Sequence, residues 1–297
     1  MIFQTVLNKR AELAETPFWD DKTGCLYWTD LFKGTVHRFD PASGRDEEFA
    51  TGKQIGCAIP CTSGKVLCVL EDGLYKLDPG NGELTLLLEV EKDRADFRFN
   101  DAGCDAAGRV FISSTAKCYG TPEFKPGMKG SFYMVDKDLS VKTIIPEMEH
   151  YNGICFSKDN KTMYVVDSYN FAILAFPYDV AAGHAGDPIP LVKVPEEYFA
   201  IDGLAIDEAE NLYLATWSGW LLKYDPATGE LTERVKTGCP FISCPGFGGA
   251  DRKDLYLTTS IWGYGPAELE QYPDAGGIYR TRTETPGRVD YYFRDEE

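Results

Sequence analysis

Short apolar runs rich in β-branched and aromatic residues alternate along the chain with polar breaks built from Asp-Pro, Asn-Gly and glycine. This pattern predicts strands joined by tight turns. Branched and aromatic side chains suit a pleated, half-buried surface, and Gly, Asn and Asp supply the turn geometries. The runs come in pairs. Leu26-Tyr27-Trp28-Thr29-Asp30 precedes Val36-His37-Arg38-Phe39-Asp40-Pro41, and Leu212-Tyr213-Leu214-Ala215-Thr216 precedes Leu221-Leu222-Lys223-Tyr224-Asp225-Pro226. Similar pairs start near residues 65, 109, 163 and 255. With residues 27, 67, 111, 164, 213 and 256 taken as equivalent, the steps are 40, 44, 53, 49 and 43. No long helical period interrupts them. A repeat of this length with four strands per unit predicts an all-β fold, a six-bladed β-propeller forming a single domain over residues 1–297. The segment at residues 3–7 is expected to complete the last blade and close the ring, removing exposed strand edges. A β-sandwich suits six similar units poorly.

Four polar clusters break the apolar pattern at a constant place. Glu15, Asn100 (with Asp101), Asn152 and Asp202 stand 12, 11, 12 and 11 residues ahead of residues 27, 111, 164 and 213. An equal offset means the same structural position in four units, so the four side chains converge where the inner strands meet. A lone Asn-Gly or Asp-Gly reads as a turn. Four groups at one offset, one of them a glutamate, read as a site. Two carboxylates and two amides offer only oxygen, which suits a hard or borderline dication: Ca²⁺, with Mg²⁺, Mn²⁺ or Zn²⁺ as alternatives. His37, His150 and His184 do not share the offset. His150 lies close to Asn152 in sequence, whereas surface or packing roles are expected for the other two.

Charge and cysteine content narrow the partners. Thirty Lys and Arg against 47 Asp and Glu give a net charge of −17, which repels phosphate backbones and speaks against nucleic-acid binding. No apolar run reaches the roughly 20 residues of a membrane helix, and no signal-peptide pattern opens the chain. Nine cysteines without a C-x-x-C pair fit small core residues of a reduced, cytoplasmic protein. Cys239 to Cys244, with Pro240 and Pro245, is expected to form a loop between blades.

Ala14-Glu15-Thr16-Pro17-Phe18-Trp19, Arg98-Phe99-Asn100-Asp101, Asn152-Gly153-Ile154, Asp202-Gly203-Leu204, Phe247-Gly248-Gly249 and Ala275-Gly276-Gly277-Ile278-Tyr279 together resemble the SMP-30/gluconolactonase/LRE family. The resemblance runs in order through essentially the whole chain. It implies a six-bladed propeller and a divalent-metal-dependent hydrolase of sugar lactones or related small lactones. It implies Glu15, Asn152 and Asp202 as metal ligands, Arg98 and Asn100 as substrate contacts, and Asp202 as the base that activates water. Asp101 and Glu123 are further candidate substrate contacts. The irregular insert at residues 117–130, which carries Cys118, Tyr119 and Glu123, corresponds to a lid-like loop over the site. Ala14, Ala102 and Ile201 depart from the family's usual Gly, Gly and Pro, and Ser218-Gly219-Trp220-Leu221 from its Gly-Gly-Arg; none removes a ligand. Trp217, Trp220, Trp262 and Tyr264 read either as blade packing or as the wall of a pocket for a less polar lactone. The expected partner is a small lactone. An organophosphate or aryl-ester hydrolase on the same site, and a non-catalytic calcium-binding propeller, are the alternatives. Oligomeric state is open.

Overall fold

A computed structural model describes residues 1–296. Six antiparallel sheets follow one another along the chain. Blade 1 contains Ala14–Asp20, Cys25–Asp30, Thr35–Asp40 and Arg45–Ala50. Blade 2 opens with Ile55–Pro60, blade 3 with Phe97–Cys104, blade 4 with Tyr151–Phe156, blade 5 with Ile201–Ile206 and blade 6 with Ile242–Gly248. These first strands are the innermost ones, and together they line a central cavity of about 100 Å³. The outer strands shade from buried to exposed, as in Glu230–Lys236, because only one face of the last strand meets a neighbouring blade.

Blade 6 draws three strands from the C-terminal part and its fourth, Gln4–Asn8, from the N-terminus. Gln4 pairs with Arg280 and Asn8 with Gly277. The ring therefore closes as the sequence predicts. The insert leaves blade 3 between Val110–Ala116 and Gly130–Val135 and is a run of turns. All nine cysteines are free thiols, most of them buried.

The C-terminal segment adds what the repeat did not predict. Beyond Gly277–Arg282 the chain crosses the end of the cavity opposite the polar clusters. Its backbone bonds to Ile206, Arg252, Pro60 and Gly108, and Tyr292 Oη donates to Asp20 Oδ1 at 2.7 Å. Arg288 Nη1 donates to the Phe156 carbonyl at 2.7 Å. One segment thus touches all six blades. Arg288, Val289, Asp290 and Tyr291 border the cavity there.

Candidate metal and substrate site

Every innermost strand slips register at the same place. The slips fall between Glu15 and Phe18, Ile55 and Cys57, Phe99 and Ala102, Asn152 and Ile154, Ile201 and Leu204, and Ile242 and Pro245. A bulge re-aims the side chain at the extra residue, and a bulge in each blade turns six side-chain positions toward one axis. This is the structural meaning of the constant offset in sequence. Thr16, beside Glu15, takes φ of 48°, a left-handed value that strains a β-branched residue. Glycines let the strands crowd together. A Cβ at Gly203 would lie 2.7 Å from the Cα of Cys244, and one at Gly153 would lie 2.3 Å from the Leu204 nitrogen.

Glu15 from blade 1 and Asp202 from blade 5 are both buried. Each offers an oxygen to a group that includes the Cys244 sulfur of blade 6, all three ligand atoms lying within 4.8 Å of one another. Cys244 Sγ donates to Glu15 Oε2 at 2.8 Å. Trp217 Nε1 donates to Asp202 Oδ2 at 2.7 Å. Asn100 and Asn152 stand beside each other: Asn100 Nδ2 donates to Asn152 Oδ1 at 2.5 Å and to the Tyr151 carbonyl at 3.1 Å. Asn152 Nδ2 donates to Ser168 Oγ at 2.7 Å. Arg98 Nη1 donates to Asn100 Oδ1 at 2.7 Å and to the Phe99 carbonyl at 3.1 Å. Arg98 is only 7% exposed, and its Nε is one of three buried side-chain polar atoms among the described residues that have no partner. A donor left bare in the interior costs about 1–3 kcal/mol unless a ligand supplies the acceptor.

The electrostatics point the same way. Burial, and then the charge of Asp202, push the Glu15 carboxyl well above its ordinary range. Burial pushes Asp202 up to about 7, against the lowering effect of the Trp217 hydrogen bond. Burial also lowers Arg98 to about 10. Two buried carboxylates facing each other are short of positive charge; Arg98 spends its hydrogen bonds on Asn100 and Phe99 and acts on the carboxylates through its charge. A dication fits: two carboxylates neutralise it, and the Asn152 carbonyl oxygen has a second lone pair beyond the one Asn100 occupies.

The remaining expected residues fall in distinct places. Asp101 is buried and lines the central cavity together with Cys244, outside the Arg98–Asn100 hydrogen bonds, and its charge adds to the rise at both Glu15 and Asp202; its Oδ1 accepts from the Ala102 nitrogen at 2.7 Å. Glu123 is exposed on the insert, away from the buried cluster. The insert itself reaches over the site. Tyr119 stacks on His150 with centroids 3.7 Å apart, Phe124 meets Tyr169, and Gly120 lies against Trp262. His150, held by Thr115 Oγ1 at 2.9 Å, is kept neutral by burial and by the charge of Arg98. Trp262 packs on Trp217 and Phe32, and Tyr264 packs on Phe241. Trp220 instead lies under Arg234 and Lys236. His37 is a packing residue, stacked on Trp28 and bonded to Asp46.

One expectation is corrected. Only Cys239 lies in the loop between blades; Cys244 is within the innermost strand Ile242–Gly248. Pro240 and Pro245 read as strand breakers, yet an innermost strand has a free edge at which Pro245 costs no ladder bond. The signal that would have found Cys244 was present: it stands 12 residues ahead of Tyr256, the same offset as Glu15 and Asn152.

Asp101 gives a prediction with a definite sign. Burial raises its carboxyl from the ordinary 3.8 to about 7. The folded chain therefore holds a proton that the unfolded chain has already lost. The associated stability is complete below about pH 4, declines as pH rises to about 7, and is level above. Asp101→Asn keeps the acceptor for Ala102 and removes this decline. Relative to wild type, its urea midpoint should rise at about pH 8 and not at about pH 4. An equal change at both pH values would contradict this account.

The chain is matched over residues 13–261 by the family model described as SMP-30/Gluconolactonase/LRE-like region. Regucalcin of Gallus gallus is 29% identical over 282 residues, covering 93% of each protein. The Bacillus subtilis (strain 168) protein named "Putative sugar lactone lactonase YvrE" is 26% identical over 281 residues, covering 94% of each. Among solved structures, the calcium-binding protein regucalcin from Agrobacterium tumefaciens str. C58 superimposes with a TM-score of 0.91 at 25% identity, over 98% of this chain and 96% of that one.

Proposed function

Because the chain belongs to the SMP-30/gluconolactonase/LRE-like family, we propose that it is a divalent-cation-dependent lactonase that opens a sugar lactone or related small lactone to the hydroxy acid. The observation that carries this reading is the convergence of the buried Glu15 and Asp202 carboxylates beside Arg98, whose Nε lacks a partner. Glu15, Asp202 and the Asn152 carbonyl would hold the cation. When bound, the cation would polarise the lactone carbonyl and stabilise charge that develops on its oxygen.

The side chains around it divide the remaining work. Arg98 and Asn100 form one hydrogen-bonded unit that orients the lactone, with Arg98 Nε free to donate to a substrate oxygen. Asp202 takes the proton of the attacking water as its oxygen bonds to the carbonyl carbon. The ring C–O bond then breaks, and the proton passes to the departing alkoxide. The Trp217 hydrogen bond keeps the Asp202 carboxylate oriented during this transfer. The insert, resting on His150 and against Trp262, limits water at the mouth. Glu123, exposed at its tip, is at most an outer contact for a polyhydroxy substrate. The nine free thiols favour a reducing, cytoplasmic setting.

The test is a substrate panel on cation-loaded protein: aldonolactones, an aromatic lactone, an aryl ester and a phosphotriester, each followed by proton release. The aldonolactones or the aromatic lactone should turn over fastest. Faster turnover of the phosphotriester would replace this reading with the organophosphatase one. Cation binding without turnover of any substrate would leave a binding propeller.

A further inference from the structure

We propose that Cys244 is a sulfur donor to the cation site and shifts its preference from Ca²⁺ toward a thiophilic borderline dication of the Zn²⁺ class. This rests on the cation-site reading above and adds a ligand that the oxygen-only set did not contain. The offset places Cys244 in blade 6 at the position that Glu15 and Asn152 hold in their own blades. Its bulge, between Ile242 and Pro245, aims it at the same axis. The side chain is buried, its sulfur touches Glu15 Oε2 at 2.8 Å, and it shares one sphere of ligand atoms with Asp202.

Donor chemistry makes the consequence specific. Ca²⁺ and Mg²⁺ take oxygen and gain little from sulfur, whereas Zn²⁺ binds Cys sulfur at about 2.3 Å and carboxylate oxygen at about 2.0–2.2 Å. Two carboxylates already neutralise a dication, so a thiolate would add one excess negative charge. Only an ion that bonds strongly to sulfur offsets that charge, and this is the source of the selectivity. The thiol proton leaves to solvent as the sulfur binds. Ser243, its neighbour, is occupied elsewhere: its Oγ meets Thr258 Oγ1 at 2.8 Å.

The experiment uses the full chain stripped by chelator and loaded with one equivalent of Zn²⁺. Zinc-edge X-ray absorption of the wild type should show a sulfur neighbour at about 2.3 Å. Cys244→Ser, which can still donate to Glu15, should lose that neighbour. By equilibrium dialysis its preference for Zn²⁺ over Ca²⁺ should fall by about tenfold or more. Oxygen and nitrogen neighbours alone in the wild type, a sulfur signal that survives in the variant, or an unchanged Zn²⁺ to Ca²⁺ ratio would each overturn the proposal. If Ca²⁺ binds stoichiometrically in those cases, the cation-site reading stands and only the sulfur ligand falls. If neither ion binds, both fall. The wild-type spectrum requires no variant, so misfolding of Cys244→Ser would leave the test intact.

Discussion

Asp202→Asn should lower lactone turnover by roughly 10²–10⁴-fold while leaving the fold in place. Asparagine keeps the volume and an oxygen that can accept from Trp217 Nε1 and face the cation. It cannot take a proton from water. The loss should therefore appear in kcat at saturating cation, with any weakening of cation affinity measured separately. Stability should not fall with activity. The native carboxyl is buried with its pKa raised to about 7, so at neutral pH the cation-free fold carries an electrostatic cost that the variant lacks. The variant stripped of cation should melt no lower than stripped wild type. Retained kcat would remove Asp202 from the chemistry. Lost activity with lost circular dichroism would show only that the fold needs this side chain.

Cation removal should have the second large effect, on stability as well as on rate. Glu15 and Asp202 are pushed above their ordinary range chiefly by burial, with the charge of Asp202 adding to the rise at Glu15 and that of Asp101 to the rise at Asp202. A bound dication supplies compensating positive charge to the folded state alone. At one hundred times its Kd, an ion contributes about 2.7 kcal/mol, and in a protein of this size that corresponds to roughly 4 °C in Tm. The carboxylates must release their protons to bind it, so the cation-induced rise in Tm should grow between about pH 5 and about pH 8. Differential scanning calorimetry with and without added cation measures this directly. A Tm indifferent to every divalent ion at the higher pH would remove the site.

The fold was legible because a propeller repeats its own instructions. Tyr27, Phe111, Tyr164, Tyr213 and Tyr256 mark strands at a steady period, and the short segment before Lys9 could only belong to the blade lacking a fourth strand. Convergence of Glu15, Asn100, Asn152 and Asp202 on one axis was legible from the same regularity. Direction within a bulge was not. Asn100 and Asp101 are adjacent, yet Asn100 joins Arg98 and Asn152 while Asp101 faces the cavity. The register slip between Phe99 and Ala102, which a residue string does not display, sets which one joins that hydrogen-bonded group.

Two other features escaped for different physical reasons. Cys244 was hidden by its prolines, which resemble loop residues unless the free edge of an innermost strand is taken into account. The C-terminal crossing of all six blades occurs once, and its contacts, such as Tyr292 with Asp20 and Arg288 with Phe156, join residues far apart in sequence. Neither periodicity nor local propensity carries information of that kind. The hydrogen bond from Trp217 to Asp202 is intermediate. The sequence offered an aromatic residue near the mouth but not its donation to the carboxylate.

The most direct test of the central claim is hydrolysis of the fastest lactone by chelator-stripped protein, with Ca²⁺, Mg²⁺, Mn²⁺ and Zn²⁺ returned one at a time. Turnover should be negligible without an ion and restored by at least one of them at one ion per chain. Full activity in the stripped protein, or no lactone turnover with any ion that calorimetry shows to be bound, would contradict that claim.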